Sequence, residues 1–561
     1  MAQDECFTPI AAHVWRRRYR QERAQESSIG VTQRRVARAL AQAEATDGKD
    51  WERRFQKILE DFSFLPGGRI LAGAGTQNNV TLLNCFVMGM IEDSVPGILR
   101  ALEEGAATMR NGGGIGYDFS TIRPRDVRNP GPVAFMEVWD AMCADIRATG
   151  ARRGAMMATL RCDHPDITTF IDSKRQSGDL SHFNLSVQIT DAFMQAKAND
   201  APWPLVFPGV RREIPARALW DKLLRASFDS GDPGVLFIDR INTLNNLYYC
   251  ERITATNPCG EVPLPPYGGC DLGSINLPRL ILDPFTPRAR LDEERLVVVA
   301  RIAVRLLDNA IDVSKFPLAA QQAAVRHARR IGLGITGLAD ALIMLGLSYG
   351  SDEGIAFASQ TMRMICHAAY RASIDIAKEK GSFPAFSREP YLDAPFIRGL
   401  PSDIQEGIAR FGIRNSHLLA IAPTGTISLL AGNVSSGIEP IFAADATRQV
   451  LEPNGILTEF QVTDSAVAFW RRQQGRLHGV PAAFVTAAEL TVNSHLAMQA
   501  ALQLYVDNAI SKTINMPENI DFSEFAQVFD KAYDLGLKGC TVFRARPGRS
   551  SVLASASGSG A

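Results

Sequence analysis

Ala255-Thr-Asn-Pro-Cys-Gly-Glu-Val-Pro-Leu-Pro-Pro266 is the stretch on which the fold of this chain turns. Its prolines lack a backbone donor and its glycine favours a turn, so neither a helix nor a central strand runs through it and Cys259 rides on a loop. Asn257 and Glu261 flank Cys259 at alternate positions, so in an extended loop all three side chains can face one way. An amide, a thiol and a carboxylate that converge can hold a hydroxyl, attack beside it and remove its proton. The same spacing also fits a Pro-rich turn around a buried Cys.

Around this loop the chain reads as a large α/β protein. It has 561 residues, 46% of them hydrophobic, with 60 basic and 60 acidic side chains. That balance gives no overall reason to expect nucleic acid or an anionic membrane as partner. No secretory leader or membrane-length apolar run is seen, and the expected location is cytoplasmic. The first 62 residues carry helical spacing in 32–44 and 51–62 and form a small N-terminal helical layer. From 63 to 545, strand candidates (70–72, 81–88, 184–189, 234–238, 418–422) alternate with helix candidates (293–313, 353–380, 487–510). That alternation indicates one large α/β body with a parallel sheet or barrel. Residues 546–561 are rich in Gly, Ser and Ala and are expected to be a flexible tail.

Nine Cys are scattered without a C-x-x-C pair, and the eight His lie too far from them for a zinc site, so no metal is expected. Two Cys share the texture of the central loop. Cys270 lies in Gly268-Gly-Cys-Asp-Leu-Gly-Ser-Ile-Asn-Leu277, and Cys85 in the β-like Leu82-Leu-Asn-Cys-Phe-Val87. Nothing local says that they meet; if they do, a dithiol beside a reactive thiol makes a redox site. In Ala422-Pro-Thr-Gly-Thr-Ile-Ser428, hydroxyls around a glycine can present donors to a phosphate. Gly112-Gly-Gly-Ile-Gly116 offers close backbone approach to a ligand, and neither segment fits a P-loop or dinucleotide fingerprint.

Taken together, these segments resemble the large catalytic chain of ribonucleotide reductases, specifically the adenosylcobalamin-dependent class II enzymes. The resemblance runs from about residue 30 to 545. Besides the segments above it includes Gly150-Ala-Arg-Arg-Gly154, His164-Pro-Asp-Ile167, Arg330-Ile-Gly-Leu-Gly-Ile-Thr-Gly-Leu-Ala-Asp340, Ser435-Ser-Gly-Ile-Glu-Pro440 and Ser511-Lys-Thr-Ile-Asn515. It implies a ten-stranded α/β barrel of two antiparallel halves with a central finger loop, whose tip is Asn257–Glu261. On this likeness Cys259 becomes a thiyl radical that takes the 3′ hydrogen of a ribonucleotide. Glu261 takes the 3′-hydroxyl proton, Asn257 holds the hydroxyls, and Cys85 with Cys270 supplies two electrons and ends as a disulfide. Pro423, Thr424, Gly425, Thr426 and Ile427 match the substrate phosphate loop; Gly68, Asn84, Gly114, Pro258 and Gly260 match positions that line the substrate.

The likeness also suggests a radical source. Class I relatives receive the radical through two adjacent Tyr near the end of the barrel; here the matching Gly539-Cys-Thr-Val-Phe-Arg544 has none, and Tyr248-Tyr249 precedes the finger loop. No glycyl-radical motif is visible either, so class II with adenosylcobalamin is expected, a class I chain with a separate radical-generating subunit being the alternative. The implied partners are a ribonucleotide, most simply a diphosphate, dNTP effectors, a thioredoxin-like or other reductant, and a second copy in a homodimer. The effector site is expected at Asp93-Ser94, which reads as the N-cap of a helix with Val95, Ile98, Leu99 and Leu102 on one stripe, and Arg152 and Arg153 would carry the signal to the base. No N-terminal ATP-binding cone and no C-terminal Cys pair are seen, so no on/off control by ATP is expected and re-reduction falls to an external thiol.

Overall fold

The computed structural model describes residues 8–22, 25–78, 80–146, 154–175, 179–451, 457–475, 479–544 and 553–555. Ten strands dominate: β1 (Phe64–Pro66), β2 (Cys85–Val87), β3 (Gly114–Asp118), β4 (Met156–Arg161), β5 (Phe183–Ile189), β6 (Gly234–Phe237), β7 (Gly269–Asn276), β8 (Ile331–Thr336), β9 (Thr513–Met516) and β10 (Gly539–Arg544). Strands β2 to β6 pair in parallel in that order. On the other side β7 pairs in parallel with β8 and β9 with β10. Single parallel bridges, Leu333 to Leu419 and Ile421 to Ile510, carry the pairing from β8 through 419–421 to the chain entering β9. Two antiparallel seams join the halves, β2 to β7 and β6 to β10.

The ring therefore closes as two five-stranded parallel halves running in opposite directions, with β1 flanking β7. Closure explains the sequence texture. Strands covered on both faces read as continuous apolar runs, and every residue of β7 and β8 is buried.

Helices cover the ring. α1 (Pro9–Arg18), α2 (Ile29–Ala41) and α3 (Gly48–Glu60) form the N-terminal layer; α4 (Val95–Arg110), α5 (Glu293–Val313), α6 (Asp352–Lys380) and α7 (Val492–Gln503) lie on the barrel. In α5 the Asp292 carboxylate caps Arg295 N at 3.0 Å, and Leu296, Val299, Ala300, Ala303, Leu307 and Ala310 recur at helical spacing on the buried face. The layer is tied to this helix: Asn309 donates to Leu40 O at 3.1 Å, and Arg305 lies 4.1 Å above the Trp51 ring.

Three expectations need correction. Residues 70–72 fall in a short helix, Gly68–Gly73, because Gly67 O accepts from Ile70 N and Leu71 N; a three-residue apolar run is too short to specify a strand. The helix expected over 487–510 is only α7: Thr491 caps it at Ser494 N, 3.1 Å, and beyond it Ile510 joins the ring. The tail is not wholly free, since Leu553–Ser555 pairs antiparallel with Ala446–Arg448.

Candidate active site

Inside the ring runs a hairpin, Ala255–Thr256 against Pro263–Leu264, so the loop read from sequence is the tip of a two-stranded finger. Both halves of the barrel hold it. From one half, Gln188 Nε2 donates to Thr254 O at 2.9 Å and Asn184 Nδ2 to Pro258 O at 2.7 Å; from the other, Ala509 N donates to Glu261 O at 2.9 Å. β3 must be glycine where the finger passes, because a Cβ on Gly116 would lie 1.8 Å from Thr256 O. The tip turns on itself: Gly260 has φ +81°, its N–H donates to Asn257 O, and Val262 N donates to Asn257 Oδ1 at 2.9 Å. With Oδ1 engaged in the turn, Nδ2 is the donor Asn257 can offer a ligand.

Cys259 stands exposed at the tip, whereas Asn257, Glu261, Cys85 and Cys270 are buried. Cys85 on β2 and Cys270 on β7 are direct register partners across one seam, and Cys85 Sγ lies 3.9 Å from Glu261 Oε1. The thiols and the carboxylate from three distant segments thus meet beside the finger. An apolar cluster of Val87, Ala255, Val262, Leu264, Leu272, Ala420 and Ala422 surrounds the two thiols. Burial first, and then the neighbouring Asp271, pushes the Cys270 thiol well above its usual value, so it is a protonated hydrogen donor at neutral pH.

Asn84 and Gly114 join this centre. Asn84 N donates to Cys270 O at 3.1 Å, Gly114 N donates to Asn84 O at 2.9 Å, and a Cβ on Gly114 would meet Pro258 at 3.4 Å. Gly68 does not join it, and faces the Tyr19 hydroxyl of the N-terminal layer instead. Its neighbour Gly67 is the one against Asn84, where a Cβ would come within 2.5 Å of Oδ1.

Cys259, Pro258 and Gly260 open on a cavity of about 730 Å³ that Pro423 and Gly425 also line. Thr424 is not a free hydroxyl: at φ +54° its Oγ1 meets Thr336 Oγ1 at 2.9 Å and accepts from Gly437 N at 2.9 Å, so it shapes the loop. Thr426 is half-buried and Ile427 buried on the short helix Gly425–Leu430.

The cavity also holds residues to which the sequence assigned no role. Cys540, on β10 at the second seam opposite Val235, has its thiol pushed up to about 12 by burial, partly offset by Lys512. Gln499 and Gln503 of α7 and Ser435 line it too, and Gln499 Oε1, Gln503 Oε1 and Ser435 Oγ are buried with no hydrogen-bond partner among the described residues. Helical spacing on α7 was the available signal for the two glutamines, but it reads equally as core packing.

At the expected effector site, Ser94 rather than Asp93 caps α4, accepting from Gly97 N at 3.1 Å, while Asp93 pairs with Arg123 at 2.6 Å. The apolar stripe divides: Ile98 is buried, but Val95 (68%) and Leu99 (58%) are exposed, as is nearby Met90 (71%). Arg152 and Arg153 lie outside the described residues. Tyr248 and Tyr249 lie away from the finger, Tyr248 near Asp393 (3.4 Å) and Tyr249 on Ala385 O (3.0 Å). Among the described residues no cluster of His, Cys, Asp and Glu is arranged to hold a metal, and no helix is long and apolar enough to cross a membrane.

Comparison with known proteins agrees with this arrangement. Residues 83–543 match the family model described as ribonucleotide reductase, barrel domain, and residues 5–79 match the ribonucleotide reductase all-alpha domain. The chain is 40% identical, over 99% of its length and 82% of the relative's, to a vitamin B12-dependent ribonucleoside-diphosphate reductase of Mycobacterium tuberculosis. It is 36% identical, over 90% of its length and 66% of the relative's, to a protein of the same name from Thermoplasma acidophilum.

Proposed function

The chain belongs to the ribonucleotide reductase family, and from that premise we propose that it reduces ribonucleoside diphosphates to 2′-deoxyribonucleotides with adenosylcobalamin, at the finger tip inside the barrel. The observation that carries the reading is the placement of one exposed thiol, Cys259, at the tip of a finger whose base is flanked by two buried, register-paired thiols, Cys85 and Cys270. The class I alternative is not favoured, since the relatives at 40% and 36% identity carry the vitamin B12-dependent name.

The cavity suits the cofactor. Its buried acceptors, Gln499 Oε1, Gln503 Oε1 and Ser435 Oγ, need donors, and the corrin ring is fringed with amide N–H groups. When bound, adenosylcobalamin supplies one-electron radical chemistry next to Cys259. The chain's own residues do the rest. Cys259, as a thiyl, takes the 3′ hydrogen of the ribose and becomes a thiol. Glu261 takes the 3′-hydroxyl proton while Asn257 Nδ2 holds the hydroxyls, and the 2′-hydroxyl leaves as water. Cys85 and Cys270 give two electrons and two protons, one leaving in the water and one ending on C2′, and become a disulfide. Glu261 returns its proton to the 3′ oxygen and Cys259 returns the 3′ hydrogen, becoming a thiyl again. The apolar wall of Val87, Ala255, Val262 and Leu264 excludes water that would quench the radicals.

A reductant must then reopen the disulfide, and a thioredoxin-like protein or a small dithiol fits that need. The exposed face of α4, with Met90, Val95 and Leu99, is the surface through which two copies would pair, with a dNTP read near Asp93. Residues 1–62 act as the helical layer, 63–545 as the catalytic barrel. The test is CDP reduction under dithiothreitol with and without adenosylcobalamin. Deoxycytidine diphosphate is expected only with the cofactor; equal product without it overturns the reading.

A further inference from the structure

A β-ribbon, Asp445–Leu451 paired with Leu457–Thr463, closes one side of the Cys259 cavity. Its side chains alternate as strand geometry requires. On the outer face Gln461 donates to Thr447 at 2.9 Å and Gln449 to Glu459 at 2.9 Å. On the inner face Ala446, Arg448 and Val462 line the cavity. Arg448 is therefore the one charged side chain that this face of the ribbon presents to the cavity.

The other charges of the cavity are satisfied. Lys512 Nζ binds Glu439 at 2.5 Å, Lys538 Nζ binds Asp507 O and Asn508 O at 2.5 Å each, and Asp232 binds Lys174 at 2.9 Å. Arg544 donates to Glu518 O at 3.1 Å and Phe228 O at 3.2 Å. Asp464 caps Val467 N, accepting at 3.1 Å, and burial together with Asp340 raises its carboxyl well above the usual carboxylate range. Arg448 alone among these has no hydrogen-bond or ion-pair partner among the described residues, and its surroundings desolvate it. A partly desolvated, unpaired cation is costly, whereas an Arg facing a phosphate forms two parallel charge-assisted bonds.

We propose that Arg448, carried on the inner face of the ribbon, anchors a phosphate group of the ligand that fills the Cys259 cavity. Resting on the proposed function, that phosphate belongs either to the diphosphate of the nucleotide or to the phosphodiester in the nucleotide loop of the cofactor. The same anchor ties ligand binding to the ribbon, and through it to the strand Leu553–Ser555 paired beside Arg448.

The test is titration calorimetry of the full chain and of Arg448→Ala, Arg448→Lys and Thr447→Ala with pyrophosphate, CDP, cytidine, hydroxocobalamin and cobinamide, which lacks the phosphodiester. Arg448→Ala is expected to weaken pyrophosphate tenfold or more, Arg448→Lys to restore part of that, and the outer-face Thr447→Ala to change nothing. A matching loss for CDP but not cytidine assigns the nucleotide; a loss for hydroxocobalamin but not cobinamide assigns the cofactor. Pyrophosphate binding unchanged in Arg448→Ala, or weakened equally in Thr447→Ala, overturns the proposal. If the parent chain bound neither CDP nor hydroxocobalamin, the reductase reading would fail, while the pyrophosphate arm would still decide the role of Arg448.

Discussion

Cys85 and Cys270 face each other directly across the antiparallel seam between β2 and β7. Directly opposed residues in such a pair have Cα atoms about 4.5–5.5 Å apart, inside the range a disulfide spans. One turnover without external reductant should therefore consume both thiols. Alkylation and peptide mapping of the parent chain after a single turnover is expected to show this pair oxidised and Cys366 unmodified by disulfide formation. A Cys85–Cys270 peptide pair that stays fully reduced while product forms would remove the two from the reaction.

Cys259 is the one finger-tip thiol open to the cavity. Cys259→Ser is expected to abolish deoxynucleotide formation, because an alcohol O–H is too strong to replace the thiol in hydrogen exchange. The fold should persist, since the side chain is exposed. Substantial nucleotide reduction by a folded Cys259→Ser protein would move the radical site elsewhere.

The finger's path sets a steric prediction. Gly116→Ala puts a methyl 1.8 Å from Thr256 O, whereas a methyl on Gly425 meets nothing within 4 Å. Gly116→Ala should lower stability by about 1–3 kcal/mol or more, as overpacking does. Gly425→Ala should leave the melting temperature near that of the parent. Equal melting temperatures for the two variants would mean that the finger does not pass against β3.

Acid sensitivity should arise in part from His495, which burial and the charge of Lys512 hold down at about 3. The unfolded chain takes up this proton near 6.5 and the folded chain only near 3, so between those values the unfolded state binds more protons and stability falls as the pH falls. The contribution is complete above pH 6.5. Chemical denaturation at pH 7 and pH 4.5 should show His495→Gln losing about 2–3 kcal/mol less than the parent over that interval. Parallel pH dependence in both proteins would mean that this imidazole titrates normally.

The exposed half of the α4 stripe predicts assembly. Leu99→Glu is expected to shift the chain from dimer to monomer in sedimentation and to abolish any dNTP effect on the ratio of CDP to GDP reduction. Where the parent is a dimer, effectors should change that ratio by about fivefold or more, within the usual range of coupling between sites. A ratio constant within twofold would rule out a specificity site here.

Much of this was legible in sequence for a physical reason. Pro and Gly around Cys259 leave it only a loop, and 293–313 shows its cap and apolar stripe without help from neighbours. The ring itself was not legible from the residues alone, because its closure depends on single bridges at Leu419 and Ile421 that leave no periodic mark. Arg448 was invisible for a related reason. An Arg in a polar, alternating stretch reads as solvent-facing, and only the pairing that turns its side of the ribbon inward reveals it. Gly67 and Gly68 were indistinguishable in sequence, because two adjacent glycines look alike until one of them meets Asn84.

The two seams also govern timing. The parallel halves join strands that follow one another, but the seams bring residue 85 to 270 and residue 235 to 540. Contacts so distant in sequence slow folding and form late. During synthesis Cys85 therefore waits without its partner until residue 270 has been made, and the pair across this seam comes into being only then. The second seam waits longer, until residue 540 has been made, so the ring stays open for most of the chain's synthesis.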